Sequence, residues 1–404
     1  MSNSDITFVR RELVAPQPAP GSGVGVIGWL RKNLFSSLSS TILTLIAGLF
    51  LFWFIPFMFD FLIGKAVFVG TPDDCRVAAG ACWAFIASRI TFLTYGFFPA
   101  AEYWRPNAFF FLAAALIIPL LAPSVPFKRL NAFLFFVVFP VVSFFLLNGL
   151  NIWVTEDSAW FEPLNSAGLL SQPRGTPAGV WVFMQNVPTE SWGGLLVTVL
   201  LSIVGIIGSF PLGILLALGR RSKLPAVKTF CILFIELWRA VPLITVLFMA
   251  SVILPLFMPQ GTSIDKLLRA MVGLTLFYSA YVAEVVRGGL QALPRGQYEA
   301  ASALGLNYWK STIFIVLPQA LTLVIPSLVG TFISLLKDTS LVAIIGLFDV
   351  LNAVQAINSD VAWKSGTSVF TAYAFAAIVY FVLCYAIASY SLYVEKRLSV
   401  SRKR

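Results

Sequence analysis

The chain has 404 residues, of which 58% are hydrophobic and 11% charged, with a formal net charge of +10 and no histidine. Soluble domains average roughly 45–50% apolar and about 25% charged residues, so a soluble fold is excluded and an integral membrane protein is implied. Without histidine the commonest general base and metal ligand are missing, which argues against cofactor chemistry, and the cations sit at the ends of apolar runs as membrane topology places them, not as a nucleic-acid surface.

Residues 1–37 contain no compact apolar stretch followed by a small-residue cleavage site, and their Pro/Gly-rich middle predicts a loose cytoplasmic tail. The apolar runs that follow are continuous, as in TILTLIAGLFLFWFIPFMF at 41–59, whereas barrel strands would alternate. About 20 such residues in a helix cross ~30 Å of hydrocarbon. Eight crossings are predicted, at 38–63, 107–126, 131–154, 193–218, 229–256, 267–286, 319–337 and 369–393. Both ends then lie on one side. That side collects Arg10, Arg11, Arg31, Lys32, Lys128, Arg129, Arg220, Arg221, Lys223, Lys228, Arg287, Arg295, Lys310 and the basic tail 399–404, and is therefore expected to be cytoplasmic. Asp73, Asp74, Glu156, Asp157, Glu162 and Glu190 fall opposite.

The stretch 78–99 is long enough to span, but Arg89 near its middle would cost about 2.5–3.5 kcal/mol. It is expected to lie at the external interface. Cys75 and Cys82, with six residues between them on that side, leave a disulfide and two free thiols equally open. These elements divide the membrane part into a three-helix region with periplasmic loops, 38–190, and a five-crossing core, 191–398, interrupted by one long cytoplasmic insert at 287–318.

Within the insert, Pro294 suits the first turn of a helix and Gly305 its left-handed end, predicting a helix over 294–304. A second helix should start after Asn307 and stop where Pro318 redirects the chain. Alanines keep the first helix slim and Leu304 gives it an apolar anchor, a shape that fits a groove on a partner. An ordinary helix resting on lipid headgroups has the same shape.

The pattern Glu299-Ala300-Ala301, three residues, Gly305, nine residues, Ile315, one residue, Leu317-Pro318 resembles the EAA signature of ATP-binding-cassette importer permeases at every fixed position. The resemblance implies an all-α polytopic fold of about eight transmembrane helices, with a type I importer core of five helices and three N-terminal ones added. It gives Glu299, Ala300, Ala301, Leu304 and Gly305 the role of a coupling helix docked on a separate ATPase, with Ile315, Leu317 and Pro318 setting its exit. WGGLLVTVLLS at 192–202, GILLALGRRS at 213–222 and IELWRAVPLITVLF at 235–248 resemble the polar amino-acid branch of that family. The first part resembles the larger permease subunits of bacterial general L-amino acid and glutamate/glutamine/aspartate/asparagine transporters. The implied assembly contains a second homologous permease in a heterodimer, two ATPase copies carrying ATP and Mg, and a periplasmic amino-acid-binding protein, all at the bacterial inner membrane. No cofactor is expected on this chain.

A zwitterionic cargo needs a cation for its carboxylate and an acid for its ammonium. Lys337, Asp338, Thr339 and Ser340 offer both on one segment, and Arg239 lies in another span, where charge is expensive. Purely architectural pairing explains the same residues, so both readings stay open. Glu284 and Arg287, three apart, suit an ion pair at the cytoplasmic exit. No G-x-x-x-x-G-K-[ST] loop occurs, so ATP hydrolysis is not expected here. The alternative class is a secondary, ion-coupled carrier of small polar solutes. It should show internal repeats, whereas the predicted division is three plus five.

Overall fold

The computed structural model describes residues 25–122, 125–172, 177, 179–259 and 264–402. Most of the predicted N-terminal tail, including Arg10 and Arg11, and the final two residues lie outside the described residues.

Seven described helices are long and apolar enough to cross a membrane: α1 (Leu38–Gly64), α2 (Ala100–Leu120), α3 (Lys128–Asn148), α4 (Gly194–Arg220), α7 (Lys266–Ala292), α9 (Tyr308–Ile345) and α11 (Ser368–Glu395). Between α4 and α7 run α5 (Pro225–Ala240) and α6 (Leu243–Leu256), an eighth span if taken together. Two shorter helices complete the core, α8 (Arg295–Ala303) and α10 (Val350–Ile357).

The expected straight crossing at 229–256 is instead bent by 101° between α5 and α6. Pro242 is the cause. A proline disfavours helical geometry in the residue before it, and Val241 is extended at φ −97°, ψ 134°. Elsewhere proline does not break the helix. Pro140, Pro255 and Pro318 each lie two residues beyond a π-turn, at Leu134–Val138, Met249–Ile253 and Thr312–Val316. A helical proline lacks a donor and crowds the carbonyl four residues back, and one wider turn absorbs both defects. Pro318 therefore does not redirect the chain as expected. Residues 308–345 form one helix of 38 residues. At Pro255 the carbonyl left without its usual donor is that of Ser251, and Arg269 Nη1 donates to it at 2.5 Å.

The described residues divide into two compact units, one of residues 25–66 with 78–81 and the other of 67–77 with those from 82 onward. The break between these units falls near residue 66. In the larger unit Phe98, Phe109, Phe135, Phe139 and Leu147 share one buried cluster with Leu196, Leu200 and Leu274. Burying these aromatic faces makes α2 and α3 part of the core. Arg105 on α2 is wholly buried. Its Nε and Nη2 donate to the Leu146 and Leu147 carbonyls at 2.6 and 2.7 Å, capping the α3 C-terminus, and Nη1 donates to the Gln185 carbonyl at 2.7 Å. Within the smaller unit no residue of Leu38–Phe59 is buried.

Where α4 begins, the Trp192-Gly193-Gly194 run passes between two other loops. Gly194 has φ +62°, and a Cβ there would lie 2.2 Å from the Leu93 carbonyl oxygen, so only glycine fits. Farther along, a Cβ on Gly213 would lie 2.5 Å from a Val282 methyl, so its absence allows α4 to approach α7.

Residues 78–99 form two short helices, Trp83–Ser88 and Ile90–Tyr95, and neither spans. Cys75 and Cys82 are disulfide-bonded, with Cα atoms 5.6 Å apart. Both sulfurs are buried in a cluster with Val350, Ala353 and Ala372. Arg89 pairs with Asp360, and this contact holds the Asp360 carboxyl below the usual carboxylate range. A three-stranded antiparallel sheet in the order β1-β3-β2, from Ile152–Thr155, Leu170–Ser171 and Val180–Phe183, occupies the loop between α3 and α4.

Candidate functional site

The insert carries α8 on a fixed mount. Pro294 lies at the N-cap, extended at ψ 141°, so the helix starts one residue later than expected. At the other end Gly305 takes φ +70°, with Leu306 N–H donating to Ala301 O at 3.2 Å and Gly305 N–H to Ser302 O at 3.0 Å. That double bond is the glycine-closed Schellman end. Ala301 faces inward and is buried, while Glu299, Ala300 and Gly305 are exposed and Leu304 is 76% exposed. Ile315 and Leu317 are half-buried and Pro318 exposed.

Polar contacts tie the inner face of α8 to three spans. Tyr298 OH donates to the Leu290 carbonyl of α7 at 3.1 Å. Arg221, at the end of α4, donates to Tyr298 Oη at 3.0 Å and to the same carbonyl at 3.1 Å, with its guanidinium 5.5 Å from the tyrosine ring centre. Gln319 of α9 donates to Gln297 Oε1 at 2.9 Å. Motion of α8 relative to these helix ends must break such bonds, so α8 and the bundle move together.

Above the mount, a cavity of about 670 Å³ opens between the α5–α6 break, α7 and α9. Ser327, Thr331, Ser334 and Asp338 line it from α9 at intervals of four, three and four residues, which is one helix face. Thr331 and Ser334 donate to the carbonyls of Ser327 and Gly330 at 3.0 and 3.1 Å, leaving their oxygens able to accept. The carboxylate of Asp338 accepts from Tyr278 OH at 2.5 Å. Across from it Arg239, in the last turn of α5, lies over the Tyr281 ring at 5.8 Å.

The structure does not bring Lys337 and Asp338 together. Adjacent helical residues project about 100° apart, and Lys337 and Ser340 line a different cavity of about 330 Å³, beside Tyr373 and Tyr380. Thr339 is buried and donates to the Leu336 carbonyl at 2.7 Å, so it lines neither space. Both charge signs do meet in one cavity, but through Arg239 and Asp338.

Next to the cavity lies a charge cluster larger than the expected Glu284–Arg287 pair. Glu284 meets Arg287, Arg220 at 3.5 Å and Arg239 at 3.8 Å, and Arg220 also meets Glu236 at 2.9 Å. Sequence reasoning missed Arg220 here, Tyr278 and Tyr281 in the cavity, and Gln297, Tyr298, Arg221 and Gln319 at the mount. It also missed Ser327, Thr331 and Ser334, although their spacing at four, three and four residues up to Asp338 was a signal in the sequence, whereas the others depend on contacts between distant segments. A third cavity, about 610 Å³ between α5, α6 and α7, is lined almost wholly by apolar side chains.

A bundle of long apolar helices, a polar cavity at a helix break and a helix mounted outside the spans define a transport permease. A family model described as "Binding-protein-dependent transport system inner membrane component" matches residues 209–400. The chain is 45% identical to the inner membrane amino-acid ABC transporter permease protein YhdY of Escherichia coli (strain K12), covering 96% of this chain and 97% of that one. It is 39% identical to the glutamate/glutamine/aspartate/asparagine transport system permease protein BztC of Rhodobacter capsulatus, over 98% and 99% of the two lengths. A solved structure titled as an amino acid ABC transporter with histidines covers 50% of the chain and 92% of its own, with 30% identity and a TM-score of 0.45.

The chain belongs to the amino-acid ABC importer permeases, multi-pass subunits of the inner membrane. Permeases of this family work with a separate ATPase and a binding protein and do not hydrolyse ATP themselves. Neither the Escherichia coli nor the Rhodobacter relative favours a secondary carrier.

Proposed function

We propose that this subunit passes polar L-amino acids from the periplasm to the cytoplasm, with Arg239 receiving the substrate carboxylate and Asp338 its ammonium. In this reading α8 docks in a cleft of the ATPase through Glu299, Ala300, Leu304 and Gly305, with Ala301 seating it on the bundle and Ile315, Leu317 and Pro318 carrying the motion into α9. ATP and Mg are bound by the partner ATPase, present in two copies. A second homologous permease completes the path as a heterodimer, and a periplasmic binding protein delivers the substrate. Both termini are cytoplasmic, on the side of α8, in keeping with the cations there. The acidic and amide amino acids named for the Rhodobacter relative support a polar substrate range.

The observation that carries this reading is a helix exposed on one side and pinned on the other to three spans by Tyr298, Arg221 and Gln319. Its test is purification of the complex in mild detergent, followed by cysteine cross-linking from Ala303→Cys. The expected product joins α8 to an ATPase and co-elutes with a second permease. A complex without an ATPase, or cross-links from Ala303→Cys to other partners alone, overturns the reading.

A further inference from the structure

The cation of the cavity is not unpartnered. Glu284 draws arginines from the ends of α4 and α5 and from its own helix, and of these Arg239 stands farthest, at 3.8 Å. Arg239 is also the one of the three that lines the cavity. If Arg239 leaves, Glu284 keeps Arg287 and Arg220, so no carboxylate is stranded without a countercharge. A ligand carboxylate entering the cavity therefore competes for the one arginine that the cluster can release at little cost.

Release has a consequence at the next residue. Arg220 Nη1 lies between Glu236 at 2.9 Å and Glu284 at 3.5 Å and makes an aligned hydrogen bond with neither. With Arg239 gone, the attraction of Glu284 for Arg220 rises relative to that of Glu236. Arg220 closes α4, and its neighbour Arg221 holds Tyr298 and the Leu290 carbonyl at the mount of α8.

We propose that Glu284 is a positioning residue that keeps Arg239 waiting in the empty cavity, and that the loss of Arg239 to a substrate carboxylate is passed through Arg220 to the α8 mount. This inference rests on the cavity being the amino-acid site. It makes substrate occupancy and α8 position two ends of one ionic balance, a coupling of the kind that links two sites by about 5–150-fold in affinity.

The test uses the purified full complex and L-glutamine as a zwitterionic probe, reading its Kd and the ATPase rate without amino acid. Glu284→Asp keeps a carboxylate in the cluster but shortens its side chain by one methylene, which weakens most the longest of its contacts, that to Arg239 at 3.8 Å. It is expected to tighten L-glutamine binding about fivefold, because Arg239 no longer has to be won from Glu284, and to raise the substrate-free ATPase rate. Glu284→Gln should tighten L-glutamine binding further but leave the substrate-free ATPase rate unraised, because no carboxylate remains to draw Arg220 from Glu236. A purely structural role lowers the yield of complex and leaves both values per assembled complex unchanged, which overturns the inference, as does failure of both variants to assemble. Arg239→Gln separates the two levels: if it leaves Kd unchanged, the cavity reading itself falls, and if it weakens binding while Glu284→Asp moves neither readout, only the Glu284 step falls.

Discussion

The α8 mount and the α5–α7–α9 cavity stand side by side in one unit, yet they treat polar groups in opposite ways. At the mount every bond is short and direct: Tyr298 to Leu290, Arg221 to both, and Gln297 to Gln319, all between 2.9 and 3.1 Å. In the cavity Arg239 stands 3.8 Å from its carboxylate and Asp338 is met by a neutral tyrosine. Satisfied hydrogen bonds make a rigid lever, while a charge held as distantly as Arg239 can be exchanged for that of a ligand. A transporter needs both, since binding must change something and the change must arrive undamped.

The comparison can be broken most directly at the cavity. Asp338→Asn and Arg239→Gln each remove one charge-assisted contact, worth about 1.5–3 kcal/mol, so uptake into liposomes by the complex should fall about 10- to 100-fold. Wild-type uptake in both would leave the cavity without a role. At the mount, Glu299→Lys changes an exposed residue and should leave folding and L-glutamine binding intact while lowering uptake about tenfold, because a carboxylate midway along the exposed face of α8 is replaced by a cation where the ATPase docks. Unchanged uptake would remove α8 from coupling.

Smaller effects sharpen the contrast. Tyr298→Phe deletes a hydroxyl that both donates and accepts, at a cost of about 1 kcal/mol, and amide exchange across 295–303 should quicken about fivefold. Exchange at the wild-type rate would mean that the lever is held elsewhere. Lys337→Ala acts on the separate 330 Å³ cavity and should change uptake by less than about threefold. A loss equal to that of Asp338→Asn would rejoin the two cavities functionally. The least effect belongs to Asp360, whose carboxyl is lowered by Arg89. Its stabilisation is complete above the ordinary Asp value of about 3.9 and is lost as pH falls further through the lowered folded-state value. Melting curves of the wild type and Arg89→Gln should therefore converge only below about pH 4.

Much of the architecture was legible because membrane spans are specified locally. Twenty apolar residues, a proline, a glycine at a helix end or an asparagine cap act over a few positions, so α1, α4, α7 and α11 and the Gly305 closure follow from the chain order of residues. The proline effects were legible only in part. Pro242 and Pro318 look alike in sequence, yet one sits at a 101° bend and the other follows a π-turn inside a single helix.

The site was less visible than the spans. Lys337-Asp338 is conspicuous as a string, but the helical rotation between neighbours sends the two side chains to different cavities. Arg239 and Asp338 line one cavity only because the α5 end, the middle of α7 and the last turns of α9 converge. The amino-acid sequence by itself determined the membrane class, the family pattern and the local helix ends, since hydrophobic run length and backbone propensity act between near neighbours. Only the tertiary structure decided which charges face one another, because that depends on how each helix is rotated and bent against segments as much as 271 residues away, as at Arg89 and Asp360.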